Sequence, residues 1–298
     1  MTPMSDFFGV PASALMGQLL IGLVNGSFYA ILSLGLAVIF GVLKVINFGH
    51  GAFYMTGALF TWVGLNFLGI NYWIALILAP FSVGILGMVL ERTLLRRLYK
   101  LDPLYGLLLT FGVAMLLQGV LLNAVGSSGL PYAAPEELSG GLDLGFMYLP
   151  TYRAWVVVAS LAVCLSTWVV IERTKLGAFL RAGTENPKLL QAFGVNVPVL
   201  VTLTYGAGVG LAAFAGVLAA PVTQVSPLMG ANILIVVFAV VVIGGMGSVL
   251  GAVLTGIVLG VLEGMAKVYY PQFSNMVVFL LMVIVLLVRP AGLFGRES

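Results

Sequence analysis

The sequence predicts an all-α fold, a polytopic transmembrane helical bundle of about eight to ten spans. Apolar residues fill 61% of its 298 positions and charged residues only 8%, against roughly 25% charge in soluble domains, and mean hydropathy is +1.15. The apolar residues gather in runs long enough to cross a bilayer, and lysine and arginine cluster at the ends of those runs. No soluble domain fits beside such a bundle, so residues 1–298 are expected to form a single transmembrane domain.

The first apolar run, Ala14 to Leu43, follows no basic leader and is too long for the core of a secretory signal. It reads as a tilted span, with Asn25-Gly26-Ser27 as its expected break. Runs from His50 to Phe67, Tyr72 to Leu90 and Pro103 to Ala124 give the next three spans. Gly126 to Pro150 is rich in Gly, Pro and Ser without helical period, so irregular structure or a short hairpin is expected there. A surface that receives an external protein is the sharper reading of the same loop. A fifth span covers Tyr152 to Ile171 and a sixth Val197 to Ala220. Pro221 and Pro227 then suggest a broken helix or an outer loop with Thr223, Gln224 and Ser226 as polar groups. The seventh run, Ala231 to Gly245, is short enough to belong to a re-entrant pair. The eighth and ninth, Gly251 to Lys267 and Met276 to Val288, follow a G-G-M-G-S tight turn. The small-residue spacing from Gly244 through Gly260 suits close helix packing, and a pore lining is the alternative.

Orientation follows from the retention of positive charge on the cytoplasmic side. Placing Arg92, Arg96, Arg97 and Lys100 inside carries Lys44, the Arg173 to Lys188 cluster, Arg289 and Arg296 inside as well. Of the 13 basic residues only Arg153 and Lys267 then lie outside. The N-terminus is expected outside and the C-terminus in the cytoplasm, and the Gly126 to Pro150 loop, with Glu136, Glu137 and Asp143, becomes external.

Between Glu172 and Asn196 the chain turns polar. Asn186 can cap a short helix with Pro187 at its first position, where the missing N–H costs nothing, and Gly194 can close it. Leu189, Leu190 and Phe193 then form an apolar side while Lys188 and Gln191 stay wet. A solvated connector, a helix on the lipid surface and a docking helix for a partner subunit all fit this pattern.

The single cysteine, Cys164, sits in an apolar run and forbids an intrachain disulfide. It reads as a small hydrophobe facing lipid or core. No phosphate loop occurs, and with one histidine the chain lacks the members of a hydrolytic or metal-binding constellation. No catalytic residue, metal site or cofactor is therefore expected. The basic residues flank spans and lack interleaved aromatics, so nucleic acid is not an expected partner. His50, at the expected inner mouth of the second span, is a structural capping group or a gate. Asn25, Ser27, Asn47 and Thr56 join His50, Thr223 and Gln224 as candidates for a solute path. Intramembrane charge is confined to Glu263 and Lys267, an i, i+4 pair that neutralises itself or meets a solute or binding protein.

Three stretches carry a resemblance: L-V-N-G-S-F-Y-A-I-L-S-L-G-L-A from Leu23, K-V-I-N-F-G-H-G-A-F-Y-M-T-G-A from Lys44, and G-G-M-G-S-V-L-G-A-V-L-T-G-I-V-L-G from Gly244. With V-R-P-A-G-L-F-G-R from Val288 they make nearly the whole chain similar to the permease subunits of ATP-binding-cassette importers for branched-chain amino acids. It looks like the first of that family's two permeases, the one without a large appended domain. Gly49 departs from the family, which often has Ala before the histidine.

The resemblance implies a permease for branched-chain amino acids, or related small amino acids or amides, in a bacterial inner membrane. It implies two ATPase subunits, a second and related permease chain, a periplasmic substrate-binding protein and the lipid bilayer as partners. It also implies that Arg181, Glu185, Asn186, Pro187, Lys188, Leu189, Leu190, Phe193 and Gly194 couple the permease to the ATPase. A stand-alone secondary carrier or channel is the competing expectation, and it would usually keep more buried charge.

Overall fold

A computed structural model describes residues 10–295. The first nine residues and Arg296, one of the charges used to orient the chain, lie outside the described residues. In chain order the helices are α1 (Ala12–Leu43), α2 (His50–Leu68), α3 (Tyr72–Thr93), α4 (Pro103–Val125), α5 (Thr151–Arg173), α6 (Lys175–Glu185), α7 (Pro187–Ala192), α8 (Val197–Thr223), α9 (Met229–Gly244), α10 (Val249–Tyr269) and α11 (Ser274–Val288). Seven of the described helical segments are long and apolar enough to cross a membrane, those containing α1, α3, α4, α5, α8, α10 and α11. The shorter α9 is apolar too, and α2 packs inside the bundle with them. The chain is a multi-pass membrane protein.

The core is built around α1, whose residues from Ala30 to Ile39 are all buried. It packs chiefly on α10 and α8, while α8 also packs on α2 and α3. By contrast α4 buries only Gly106, Thr110 and Leu121, and it turns leucines such as Leu104, Leu108 and Leu116 outward. Such a surface suits lipid or another apolar subunit.

Small residues make the central contacts possible. A Cβ on Gly260 of α10 would lie 2.3 Å from Gly26 Cα of α1, and one on Gly57 of α2 would lie 2.5 Å from Ala213 Cα of α8. The two helix pairs touch backbone to backbone, where dispersion takes the place of the missing hydrophobic drive inside a bilayer. This corrects the expected break at Asn25-Gly26-Ser27. Helix α1 runs unbroken from Ala12 to Leu43. Gly26 serves the α10 contact, and Ser27 satisfies its hydroxyl within the helix on Val24 O at 2.7 Å. The pore-lining alternative for Gly256 and Gly260 also gives way, since both face α1 backbone.

Between α1 and α2 the chain is not helical, and it runs through the protein interior. Lys44 closes α1 with a left-handed backbone (φ 52°). From there Val45 to Gly49 leads to His50, whose Nε2 lies 2.9 Å from Leu32 O. Leu32 stands roughly 16 Å along the axis from the C-terminal end of α1, at 1.5 Å per residue. The expected position of His50 at the inner mouth is thus corrected: it lies deep in the bundle and is fully buried. Irregular backbone is tolerated there because its polar groups are met internally. Phe48 N donates to Thr110 Oγ1 at 3.1 Å, and Gly49 N donates to Asn47 Oδ1 at 3.0 Å.

On the opposite end, the loop after α4 forms a short antiparallel hairpin, β1 (Gly141–Asp143) with β2 (Tyr148–Pro150). A second tie joins Leu130 to Val225 by two backbone hydrogen bonds of 2.8 and 3.0 Å. Beneath it, Tyr152 donates to Leu218 O at 3.0 Å and packs beside Tyr72, while Trp155 Nε1 donates to the Tyr72 hydroxyl. Amphipathic rings of this kind suit a membrane–water boundary. Pro221 falls within the last turn of α8 and does not break it, whereas Pro227 lies in the following loop. G-G-M-G-S does form a tight turn, with φ of 98° at Gly245 and 87° at Gly247. The segment after α11 docks on it through Leu293 N to Ile243 O and Phe294 N to Gly244 O.

Gly260→Val tests the central contact. The added side chain has no room against α1 backbone, so the variant is expected to lose about 1–3 kcal/mol or more of stability, read as a lower melting temperature in detergent; melting at the parent temperature would contradict the packing described.

Candidate functional site

Two places collect the groups that chemistry could use. One is the pair α6 and α7, which interrupts the spans. The other is a polar cavity among α1, α2, α8 and α9.

Helix α7 is set by its own sequence. Asn186 Oδ1 accepts from Leu189 N at 3.0 Å, Pro187 occupies the first turn, and Gly194 takes φ +83° while its N–H donates to Gln191 O at 2.9 Å. Each feature satisfies or spares a backbone group that the helix ends leave open. The expected apolar side is split by the fold. Leu190 turns inward and is buried, but Leu189 is 55% and Phe193 78% exposed. Leu189 and Phe193 stand at i and i+4 and share a face, whereas Leu190 lies about 100° round the helix. Leu190 is therefore a packing residue and not part of the outward patch. Lys188 is exposed beside that patch, and Glu185 is exposed at the end of α6.

Helix α6 is an additional element that the sequence reading does not separate from the connector. It buries Gly177 and Leu180, and Gly177 sits where a Cβ would come within 1.6 Å of Ile171 O. Arg181 fastens α6 to the end of α5, donating to Ile171 O at 3.1 Å and facing Glu172 at 3.5 Å. The ion pair is half exposed on both sides and worth little by itself. Leu180, Gly183 and Pro187 of this pair, with Leu43, Leu95 and Val201 of the bundle, line a cavity of about 220 Å³. The α6–α7 pair therefore lies over the bundle with space beneath it.

The second place is a cavity of about 330 Å³, open at one side, at the middle of α1. Asn25 and Thr223 line it, together with Tyr29, Tyr54, Ser226 and Asn232. The other path candidates stand apart. Ser27 is buried against its own helix, and Thr56 donates to Ala52 O. Asn47 and His50 belong to the buried segment before α2, and Gln224, at φ 65°, flanks the tie between Leu130 and Val225.

Behind the cavity lies Glu263, which is buried. Its Oε1 meets Lys267 Nζ at 2.6 Å, and its Oε2 accepts from the Tyr29 hydroxyl at 2.8 Å. The i, i+4 pairing is the one expected. The tyrosine, 234 positions away, gave no local signal. A second buried carboxylate, Glu91, carries no sequence signal, because it precedes the basic flank and reads as part of it. Glu91 is fully buried and accepts from Tyr99 Oη at 2.7 Å and from Thr202 Oγ1. It thus joins α3 and the turn after it to α8. Among the described residues no three of His, Cys, Asp and Glu gather closely enough to hold a metal. Cys164 is buried, the core reading of the two.

A bundle of apolar helices with a polar cavity at mid-length and an amphipathic helix pair interrupting its spans is a membrane protein of the solute-permease class. The chain belongs to the family described as "Branched-chain amino acid transport system / permease component", whose family model matches residues 18–286. It is 31% identical over 294 residues to the high-affinity branched-chain amino acid transport system permease protein BraD of Pseudomonas aeruginosa, covering 94% of this chain and 96% of that one. With the corresponding permease protein LivH of Escherichia coli K12 it shares 29% over 296 residues, at the same coverage. With LivM of the same organism it shares 30% over 292 residues, covering 89% of this chain and 67% of that one. No solved structure matches it.

Glu91→Ala tests the carboxylate that joins α3 to α8. It strips the acceptor from two hydroxyls and is expected to cost about 1.5–3 kcal/mol, with Glu91→Gln costing less, both read by thermal melting in detergent; equal melting of all three proteins would contradict the role given to Glu91.

Proposed function

We propose that the chain is a permease subunit of an ATP-driven importer for branched-chain amino acids or related small amino acids or amides, placed in a bacterial inner membrane. Its residues form one transmembrane domain, with a coupling segment at 172–196 and an external loop at 126–150. The N-terminus lies outside and the C-terminus in the cytoplasm, an orientation supported by where the basic residues fall. Its partners are two ATP-binding-cassette ATPase subunits, a periplasmic substrate-binding protein and a second permease. The likeness of the chain to both LivH and LivM supports a second permease that is related but different.

The observation that carries this reading is α7. A two-turn helix is marginal alone, yet this one is capped at both ends, anchored by Leu190, and left with Leu189 and Phe193 bare next to Lys188. Bare apolar side chains at i and i+4 are the anchors with which a helix seats in a groove. Occupancy of ATP in the partner would move α6 and α7 as a unit. Arg181 and Gly177 bind that unit closely to α5, and Asn196 caps α8 directly after it. Motion at the inner face is then passed to two spans, one of which ends at the polar cavity. This chain supplies the conduit, and nucleotide chemistry belongs to the partner.

Leu189→Asp and Phe193→Asp replace outward side chains and leave the bundle's packing untouched. In proteoliposomes holding the whole complex, each is expected to lower uptake at least tenfold and to remove its dependence on ATPase turnover, with insertion unchanged. Coupled uptake at the parent rate would count against the proposal. Substituting Leu190 is a different experiment, since it removes a buried anchor and should loosen α7 itself.

A further inference from the structure

The pairing of Glu263 with Lys267 neutralises both charges but occupies only Oε1, so the buried carboxylate still needs a donor on Oε2. The structure adds Tyr29. Its hydroxyl donates to the remaining carboxylate oxygen of Glu263 at 2.8 Å, and the same side chain lines the 330 Å³ cavity. A phenol that donates a hydrogen bond to a carboxylate carries more negative charge on its oxygen, because hydrogen bonds in series polarise one another. Tyr29 Oη, on a side chain that lines the cavity, is therefore a strengthened acceptor.

No charged residue lines this cavity. A solute of net charge would be desolvated there without a compensating ion, at a cost of several kcal/mol. A zwitterion differs, since its two charges remain side by side and each needs only hydrogen-bond partners. Asn25 and Asn232 can donate amide hydrogens to a carboxylate, and Ser226 can add a hydroxyl. Phe28, Met229 and Ile233 supply an apolar wall to the same space. The volume lies within the ordinary range for small-molecule sites, roughly 300–1,000 Å³.

We propose that this cavity is a solute site for zwitterionic α-amino acids with apolar side chains, in which Tyr29, held and polarised by Glu263, accepts a hydrogen bond from the α-ammonium group. The proposal rests on the importer reading above and assigns the place and the chemistry of recognition. Glu263 and Lys267 act through Tyr29 and are positioning residues. Such a site holds its solute by neutral hydrogen bonds alone, with no fixed counter-ion, and so can release it.

The test uses the complex as it co-purifies from native membranes, reconstituted in proteoliposomes with its binding protein, and radiolabelled leucine as probe. Wild-type uptake comes first; if the wild-type complex moves no branched-chain amino acid, the importer reading fails, and the site fails with it. Given wild-type uptake, Tyr29→Phe is expected to lower it about tenfold or more, while binding-protein-stimulated ATPase activity stays at the wild-type value; melting temperature falls in either case, because the variant leaves Glu263 Oε2 without its donor. Uptake within twofold of wild type overturns the site and leaves the importer reading standing. Uptake and ATPase activity falling in the same proportion overturn it too, because that pattern marks Tyr29 as only a tie between α1 and α10. Should Tyr29→Phe fail to assemble, the double variant Glu263→Gln, Lys267→Met keeps the region neutral while removing the charged acceptor. It is read by uptake and ATPase activity, with reduced uptake at wild-type ATPase activity supporting the site, and unchanged uptake or a proportionate fall in both overturning it.

Discussion

The close approach of α1 to α10 and α8 is the constraint on which the remaining structure depends. In lipid, helices gain nothing by hiding apolar side chains from one another, so association rests on how near their backbones can come. Gly22, Gly26 and Gly35 of α1 meet Gly260, Gly256 and Gly208 at distances that no side chain could share. That contact seals α1 along much of its length. It also brings Tyr29 within reach of Glu263, two residues that the sequence holds far apart.

From this packed centre the polar features are disposed at two levels. A cavity at mid-length gathers neutral hydrogen-bonding groups from four elements, with a self-neutralised pair behind one of them. At the end where the basic residues gather, α6 and α7 lie over a separate cavity and expose two apolar side chains. Helix α8 connects the two levels, beginning beside α7 and ending at Thr223 in the cavity wall. Glu91 locks α3 to α8 near the lower level. A force applied to α7 has a rigid element through which to reach the cavity, provided α8 moves as a body.

What could be read in the sequence was what is encoded locally. Asn186-Pro187 and Gly194 name the ends of a two-turn helix because capping uses neighbours three residues away or fewer. Span positions followed from apolar length, and the i, i+4 pair of Glu263 and Lys267 from helical period. What was missed depends on distant contacts. Gly26 looked like a break because glycine weakens a helix in isolation, yet in the bundle it is the point of tightest packing. His50 was placed at the inner mouth because nothing in N-F-G-H-G shows that five residues travel through the interior, where Thr110 receives them. Leu190 was grouped with Leu189 and Phe193 by hydrophobicity, and only the packing of α7 against the bundle separates them. Tyr29, Tyr54 and Asn232 carry no pattern of their own and come to line one cavity only when four helices meet.

The central claim is that the bare face of α7 is the surface on which an ATPase subunit acts. Cysteine in place of Phe193, in a background where Cys164 is replaced by serine, tests it by cross-linking in native membranes with a short bifunctional reagent. The account predicts a single adduct between the permease and an ATP-binding subunit, formed in inverted vesicles and blocked by prior treatment of the cytoplasmic face with an impermeant thiol reagent. Blocking from the external face instead, with no such adduct, would contradict it.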